Sequence, residues 1–386
     1  MDKKNKSPNV PNLRFREFSL PWHQTPIKDL LSFQNGINGA PEQYGKGIKY
    51  ISVGDILNND YITYDKIVGS IDISQETLKN YSVTYGDILF QRSSEIKDDI
   101  GRTNVYLDKD NTATFGGFVI RGKKIGDYNP SFFSFLLKSP SSRKSIVRLG
   151  AGAQHYNIGQ ENIKTLSFYF PNEIEQVKIA NLLSKIDKRI QTQIKIIDDY
   201  NSLKMGIYNW MFKENCADYK LKQLANIVKG DQINNNQLLS NGTYYMMNGG
   251  TLPSGYLDSY NVSENTISIS EGGNSCGYVQ FNKERFWSGG HCYTIQNVNP
   301  LIVENKYLYH YLKHKEKEIM NLRIGTGLPN IQKKDLENFT IFVPNLLIQR
   351  KNLALFEMLD EKICILNEEL ERLEKQKKYL LRNLFI

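Results

Sequence analysis

Nowhere in the 386 residues is there a run of about eighteen apolar side chains, so no membrane span is expected. The opening MDKKNKSPNVPNLRFREF is polar and basic, without the apolar centre of a secretory signal, and a cytoplasmic protein is expected. Cysteine is sparse: Cys216, Cys276, Cys292 and Cys364 lie far apart and form no Cys-x-x-Cys pair. This spacing argues against zinc ribbons and disulfide scaffolds and fits a reducing compartment.

Catalytic signatures are missing too. GAPEQYGKG has the wrong spacing for a phosphate-binding loop and Gly47 where the hydroxyl belongs. In LGAGAQH, His155 stands where a dinucleotide cradle requires its third glycine. The Asn-Pro-Pro-aromatic signature of amino-methyltransferases is absent, and YFPN and FVPN do not imitate it. Asp87 followed by Glu95 and Lys97 imitates a metal-dependent nuclease. The second half, however, reads ISEGGNS at the corresponding place, so Asp87 is expected in a β-turn and Glu95-Ile96-Lys97 in a charged loop. His310 and His314 stand four apart on an expected helix with no glutamate after the first, and are read as surface residues, not metal ligands.

What is present is repetition. GAQHYNI at 152–158 and GTGLPNI at 325–331 share glycine, a small residue, three variable positions and Asn-Ile, 173 residues apart. The same shift carries Pro171 to Pro344, Gln176 to Gln349, Asp187 to Asp360, and Gly116-Gly117 to Gly289-Gly290. Nearer the start of each half, IKDLLSFQNG at 27–36 matches LKQLANIVKG at 221–230 with a shift of 194. The difference, 194 − 173 = 21, gives the first copy about 21 extra residues between 36 and 115. Two domains suit this length, and 40% hydrophobic with 23% charged residues describe a folded chain.

Helical periodicity follows each proline. Leu183, Ile186, Ile190, Gln193, Ile197, Tyr200, Lys204 and Ile207 are spaced three and four apart. Phe356, Leu359, Ile363, Leu366, Leu370, Leu373, Lys377 and Leu380 repeat them 173 residues on. A seam this long predicts two helices packed as a coiled coil, because some forty residues at about 1.5 Å each outreach one small domain. Before each helix, IKYISVGDIL, YGDILF, FGGFVIRG, TISISE and HCYTIQNV read as short strands. PSFFSFLLKS and NKYLYHYLKH read as aromatic helices.

The expected fold is α+β: two globular domains, each followed by a long helix. Its parts are an N-terminal arm (1–18), a first domain (19–171), a central spacer helix (172–214), a second domain (215–343) and a C-terminal spacer helix (344–386).

With a net charge of +8, the chain is compatible with a polyanionic partner. Side chains suited to base edges and phosphates are Gln91, Arg92, Ser93 and Arg102 in the first half. Asn248, Gly249, Gly273, Asn274 and Arg285 are their candidates in the second. Gln154, His155 and Tyr156 fill the variable middle of the repeated motif, opposite Gly327, Leu328 and Pro329, as a specificity loop would. Gly152 and Gly325 permit close backbone approach, while Asn157 and Asn330 are read either as caps of the next segment or as parts of a plain strand-helix turn.

These residues resemble the specificity subunits of type I restriction-modification enzymes. The likeness rests on PNLRFREF followed by Trp22, GDILFQRS, the repeated Asn-Ile motif, PNEIEQVKIA at 171–180 and EGGNSCGYVQF with FWSGGHCYT. PNLLIQRKNLALF keeps Gln349 but lacks the acidic residue that precedes Gln176 in the first copy. The resemblance implies two target-recognition domains that each read one half of a bipartite, asymmetric site in double-stranded DNA. It implies two helices that pair antiparallel with pseudo-twofold symmetry and dock two modification (methyltransferase) subunits. It implies no catalysis by this chain: S-adenosylmethionine belongs to the modification subunits, and ATP and Mg²⁺ to the motor-nuclease restriction subunits. The rival readings are a coiled-coil adaptor that binds no DNA and a self-contained restriction enzyme.

Overall fold

Runs rich in Ile, Val, Phe and Tyr become the strands of two four-stranded antiparallel sheets, one in each of two units of a computed structural model. The structure describes residues 9–386 except Ala153, residues 213–215, Thr326 and the side chain of Asn235. Residues 1–8 of the expected arm and 213–214 of the expected spacer helix therefore lie outside the described residues.

The first unit comprises Met1–Ile194 with Glu369–Ile386. Its main sheet runs Leu31–Asn35, Val119–Lys124, Ile88–Gln91, Thr103–Val105 in spatial order. Trp22, Phe132, Phe133 and Phe170 pack ring against ring, tilted or edge to face, in the core behind it. The helix Pro130–Lys138 begins where Asn129 Oδ1 accepts the Phe132 amide at 2.9 Å and proline occupies its first turn.

The second unit, Lys195–Glu368, orders Asn226–Lys229, Cys292–Gln296, Thr266–Ser270 and Val279–Asn282 in the same way. Its aromatic helix Asn305–His314 buries Tyr307, Leu308 and Tyr311. The extra length of the first copy holds two short helices, Val53–Asn58 and Gln75–Asn80. Among the described residues the second unit forms no α-helix between Gly230 and Thr266. IKYISVGDIL is thus only half strand: Tyr44–Ile51 is extended, and a capping box between Ser52 and Asp55 turns Val53–Asn58 into helix.

The long helices are Glu173–Met211 and Leu346–Asn383, of 39 and 38 residues. In the first unit the seam buries Leu183, Ile186 and Ile190 together with Leu373 and Leu380, and half-buries Leu370. Asp187 pairs with Lys377 at 2.6 Å, and Gln193 donates to Glu369 at 3.5 Å. In the second unit Lys204 pairs with Asp360, and the Tyr208 and Phe356 rings meet at 4.4 Å. Ile197, Leu359 and Leu366 are buried there, with Tyr200, Ile207 and Ile363 half-buried. Partner numbers on one helix fall as those on the other rise, so the packing is antiparallel in each unit.

Each helix start is tied to its own globule by a glutamine. Gln176 accepts the Asn129 amide at 3.0 Å and donates to Pro171 O at 3.0 Å. Gln349 accepts the Glu304 amide at 2.8 Å and donates to Pro344 O at 2.7 Å. Glu175, the acidic residue without a second-copy counterpart, is fully buried and holds Arg14 of the arm through two bonds of 2.7 Å. At the equivalent position the second copy has Ile348.

Candidate nucleic-acid interface

The two sequence offsets meet in one contact. A Cβ on Gly36 would lie 2.1 Å from the Gly116 carbonyl oxygen, and one on Gly230 would lie 2.4 Å from that of Gly289. Glycine is needed because the two backbones touch. Beside this contact, Gly117 packs on Asn38 and Gly290 on Gln232. Each Gly-Gly pair opens a β-turn: the Val119 amide donates to Gly116 O at 2.8 Å, and the Cys292 amide to Gly289 O at 3.0 Å. The turns expose Phe118, 65% accessible, and His291, whose side chain is 62% accessible. Each is the one exposed residue in an otherwise buried run, 113–121 and 288–295.

The repeated motif forms the same small loop twice. Ala151 and Asn157 exchange backbone hydrogen bonds of 3.0 and 2.8 Å, as Ile324 and Asn330 do at 2.8 and 3.0 Å. At the turn Gly152 has φ +132°, and a Cβ there would lie 2.0 Å from the His155 carbonyl oxygen. The asparagines are not helix caps. Gly159 and Gln332 occupy the cap positions of Gln160–Lys164 and Lys333–Glu337. Asn157 instead accepts the Ser93 hydroxyl and donates to His155 O at 3.3 Å, while Asn330 accepts Gln332 Nε2 at 3.1 Å. Their role is to close a hairpin. The motif residues Ala153 and Thr326 lie outside the described residues.

In the first unit this loop, the Gly-Gly turn and the end of the strand Ile88–Gln91 come together. Tyr156–Asn157 pairs with Ser93–Ser94. The Arg92 amide donates to Phe118 O at 2.8 Å, and its guanidinium donates to Gly117 O at 3.2 Å. Arg92, Gln154 and His155 are exposed, with Ser93 and Tyr156 half-buried beside them. Gln91 faces inward: it is 5% exposed and donates to Ser93 O at 2.8 Å, which makes it a brace of this loop and not a surface contact. Arg102 is exposed but held by Asp99 at 2.7 Å.

In the second unit Asn248 accepts the His291 amide at 2.9 Å, and the Gly249 carbonyl accepts Ser270 Oγ at 2.7 Å. The Gly273 amide donates to Pro329 O at 3.0 Å, bringing the motif loop against Glu271–Gly273. Asn274 is exposed. The Glu271 carboxylate gathers Lys229 Nζ at 2.6 Å, the Tyr293 hydroxyl at 3.1 Å and His291 Nδ1 at 3.7 Å. Arg285 is engaged elsewhere: it lies over the Tyr260 ring and pairs with Glu264, whose carboxyl it holds below the usual range. Sequence reading overlooked Phe118, His291, Lys229 and Glu271. The repeated Gly-Gly followed by a planar residue was the available signal.

Among the described residues no three His, Cys, Asp or Glu side chains converge as metal ligands. Asp87 is buried in the expected turn, accepting the Thr84 and Lys124 amides at 3.1 and 2.9 Å, and burial pushes its carboxyl up. The two histidines are not surface residues. His310 is 5% exposed, with Nδ1 2.9 Å from the Tyr208 hydroxyl, and His314 packs against the rings of Tyr208 and Phe212. The aromatic core of the second unit claims them, because Tyr208 of the long helix and Phe212 just beyond its end fold over that face.

A family profile described as the type I restriction modification DNA specificity domain matches residues 21–198 and again 213–375. The chain is 34% identical over 164 residues to a protein of Mycoplasma pneumoniae named as a type I specificity subunit, a match covering 42% of each chain and so less than half of that relative. At 22% identity it aligns with a type I restriction enzyme specificity subunit of Methanocaldococcus jannaschii over 94% of this chain and 92% of the other. The crystal structure of a type I restriction-modification S subunit from M. genitalium shares the fold, with a TM-score of 0.65 at 20% identity over 98% of this chain and 99% of that one.

Proposed function

The chain belongs to the type I restriction-modification DNA specificity family, and from that premise we propose that each unit reads one half of a bipartite, asymmetric site in double-stranded DNA. The observation that carries this reading is the twofold occurrence of one surface. In both units a hairpin with a closing Asn-Ile, a Gly-Gly turn and a strand end converge. Only the contents change, Gln154-His155-Tyr156 in one and Gly327-Leu328-Pro329 in the other. A fixed frame with exchangeable contents is what reading two different base sequences requires. Arg92, Ser93, Arg102, Gln154, His155 and Tyr156 are assigned to one half-site, and Asn248, Gly249, Gly273 and Asn274 to the other, while Arg285, held by Glu264 and Tyr260, is left out. Basic side chains add the sequence-independent phosphate contribution.

The helix pair is assigned two tasks, setting the gap between the half-sites and docking two modification subunits on its exposed, charged faces. Helices of 39 and 38 residues with a sustained seam support the first task. Methyl transfer and cleavage are assigned to other chains, with S-adenosylmethionine in the modification subunits and ATP and Mg²⁺ in the motor-nuclease subunits. Removing one matched heptad from both helices, about 10 Å, shortens the unread spacer by roughly three base pairs. Methylated-motif sequencing of such a strain reads the spacer directly, and an unchanged length refutes the ruler. A gel shift with the modification subunits present separates this reading from a coiled-coil adaptor that binds no DNA.

A further inference from the structure

Both units leave one planar side chain in the open at the same point of the duplicated frame. Phe118 and His291 are related by the shift of 173, and each occupies the exposed corner of a Gly-Gly turn whose neighbours in sequence are buried. A single exposed apolar residue needs no explanation. Two planar residues at one repeated corner call for one, since nothing in packing demands a ring there.

The backbone beneath them is clamped. The glycine contacts leave no room for a Cβ, so the turns cannot slide. Phe118 O accepts the Arg92 amide at 2.8 Å, and His291 O accepts the Glu271 amide at 2.9 Å. The His291 amide is spent on Asn248 Oδ1. A ring carried on a fixed turn loses little freedom when it meets a partner, which makes it an economical contact. The surroundings are polar: Arg92 lies on the turn beside Phe118, and His291 sits 3.7 Å from the Glu271 carboxylate, whose charge Lys229 balances at 2.6 Å. A ring with a cation next to it, as at Phe118, or with a free ring nitrogen in polar surroundings, as at His291, suits a base better than an apolar protein pocket.

Resting on the reading of each unit as a half-site reader, we propose that Phe118 and His291 are the base-contacting tips of the two units. Phe118 makes an apolar contact in the groove, for which the thymine methyl group is the matching chemistry. His291 makes a hydrogen bond to a base edge, using the ring nitrogen that faces away from Glu271.

The test uses the complete complex with its modification subunits. Phe118→Ala relaxes one or two positions in one half of the methylated motif, with roughly tenfold slower methylation of the original site. His291→Ala does the same in the other half, and Phe118→Leu retains more of the preference than Phe118→Ala. The Tm of each variant stays within about 2 °C of the parent, as solvent-facing positions do. An unchanged motif and rate, changes in both halves, or a larger fall in Tm each overturn the assignment. A parent complex that methylates no bipartite motif fails the half-site reading itself, whereas an intact parent motif unmoved by Phe118→Ala fails only the tip.

Discussion

Asp187 and Lys377 face each other across the two long helices at 2.6 Å, and the same pair recurs in the second unit as Asp360 and Lys204. Duplication explains the reciprocity, because Asp360 and Lys377 are the copies of Asp187 and Lys204. The pair is not simply stabilising. Burial pushes the Asp187 carboxyl up more strongly than Lys377 pulls it down. A raised carboxyl favours the folded state while protonated, so its contribution is present below the unfolded value and lost as pH rises through the folded one. At pH 7, Asp187→Asn therefore changes stability by less than about 1 kcal/mol, while Lys377→Met removes the cation bonded to Asp187, leaving it only the nearby Lys138, and costs about 2–3 kcal/mol. Chemical denaturation ranks the two variants, and a larger loss for Asp187→Asn contradicts this view of the seam.

Arg14 is the second site where one partner buries the other. Glu175 is fully buried, bonded to both Arg14 Nε and Nη2, with Trp22 Nε1 at 3.4 Å. Arg14→Ala strands a buried carboxylate and costs about 3 kcal/mol. Arg14→Lys recovers little, since an ammonium cannot match both oxygens at once. Thermal denaturation checks both; a silent Arg14→Ala removes the arm from the folded core.

His310 makes the second unit sensitive to acid. Burial lowers its imidazole from 6.5 to about 4, against Asp360 and Glu357, which raise it, and alongside Lys204 and Lys306, which lower it further. A histidine held neutral in the fold contributes stability that is full above its unfolded value of 6.5 and is lost as pH falls toward 4. The loss approaches roughly 3 kcal/mol below pH 4. His310→Gln keeps a hydrogen-bond partner for the Tyr208 hydroxyl and removes the titration, so its Tm falls less steeply between pH 6.5 and pH 4. Parallel curves for parent and variant exclude His310 as the acid-sensitive group.

Much of this was legible because duplication imprints distance. The shift of 173 linked Gln176 to Gln349 and Asp187 to Asp360, and the structure gives each pair equivalent partners. The shift of 194 marked Gly36 and Gly230, whose reason emerges only when Gly116 and Gly289 arrive from the other series. What escaped reading depends on contacts far apart in sequence. Gln91 alternates like a surface strand residue, yet its side chain folds back onto the Ser93 carbonyl. His310 and His314 have helical spacing that suits either solvent or core, and Tyr208, 102 residues before His310, decides for core. The capping box at Ser52 was readable, but the apolar residues around it suggested a continued strand. An aromatic residue next to a strand is ordinarily buried, so residue type alone does not mark Phe118 as exposed.

The most direct test of twin readers in one chain is to exchange residues 219–343 for the matching domain of another family member and sequence the methylated motif in the host. One half of the motif changes to that of the donor, while the other half and the spacer stay as they were. A motif altered in both halves, or altered in neither, contradicts the account.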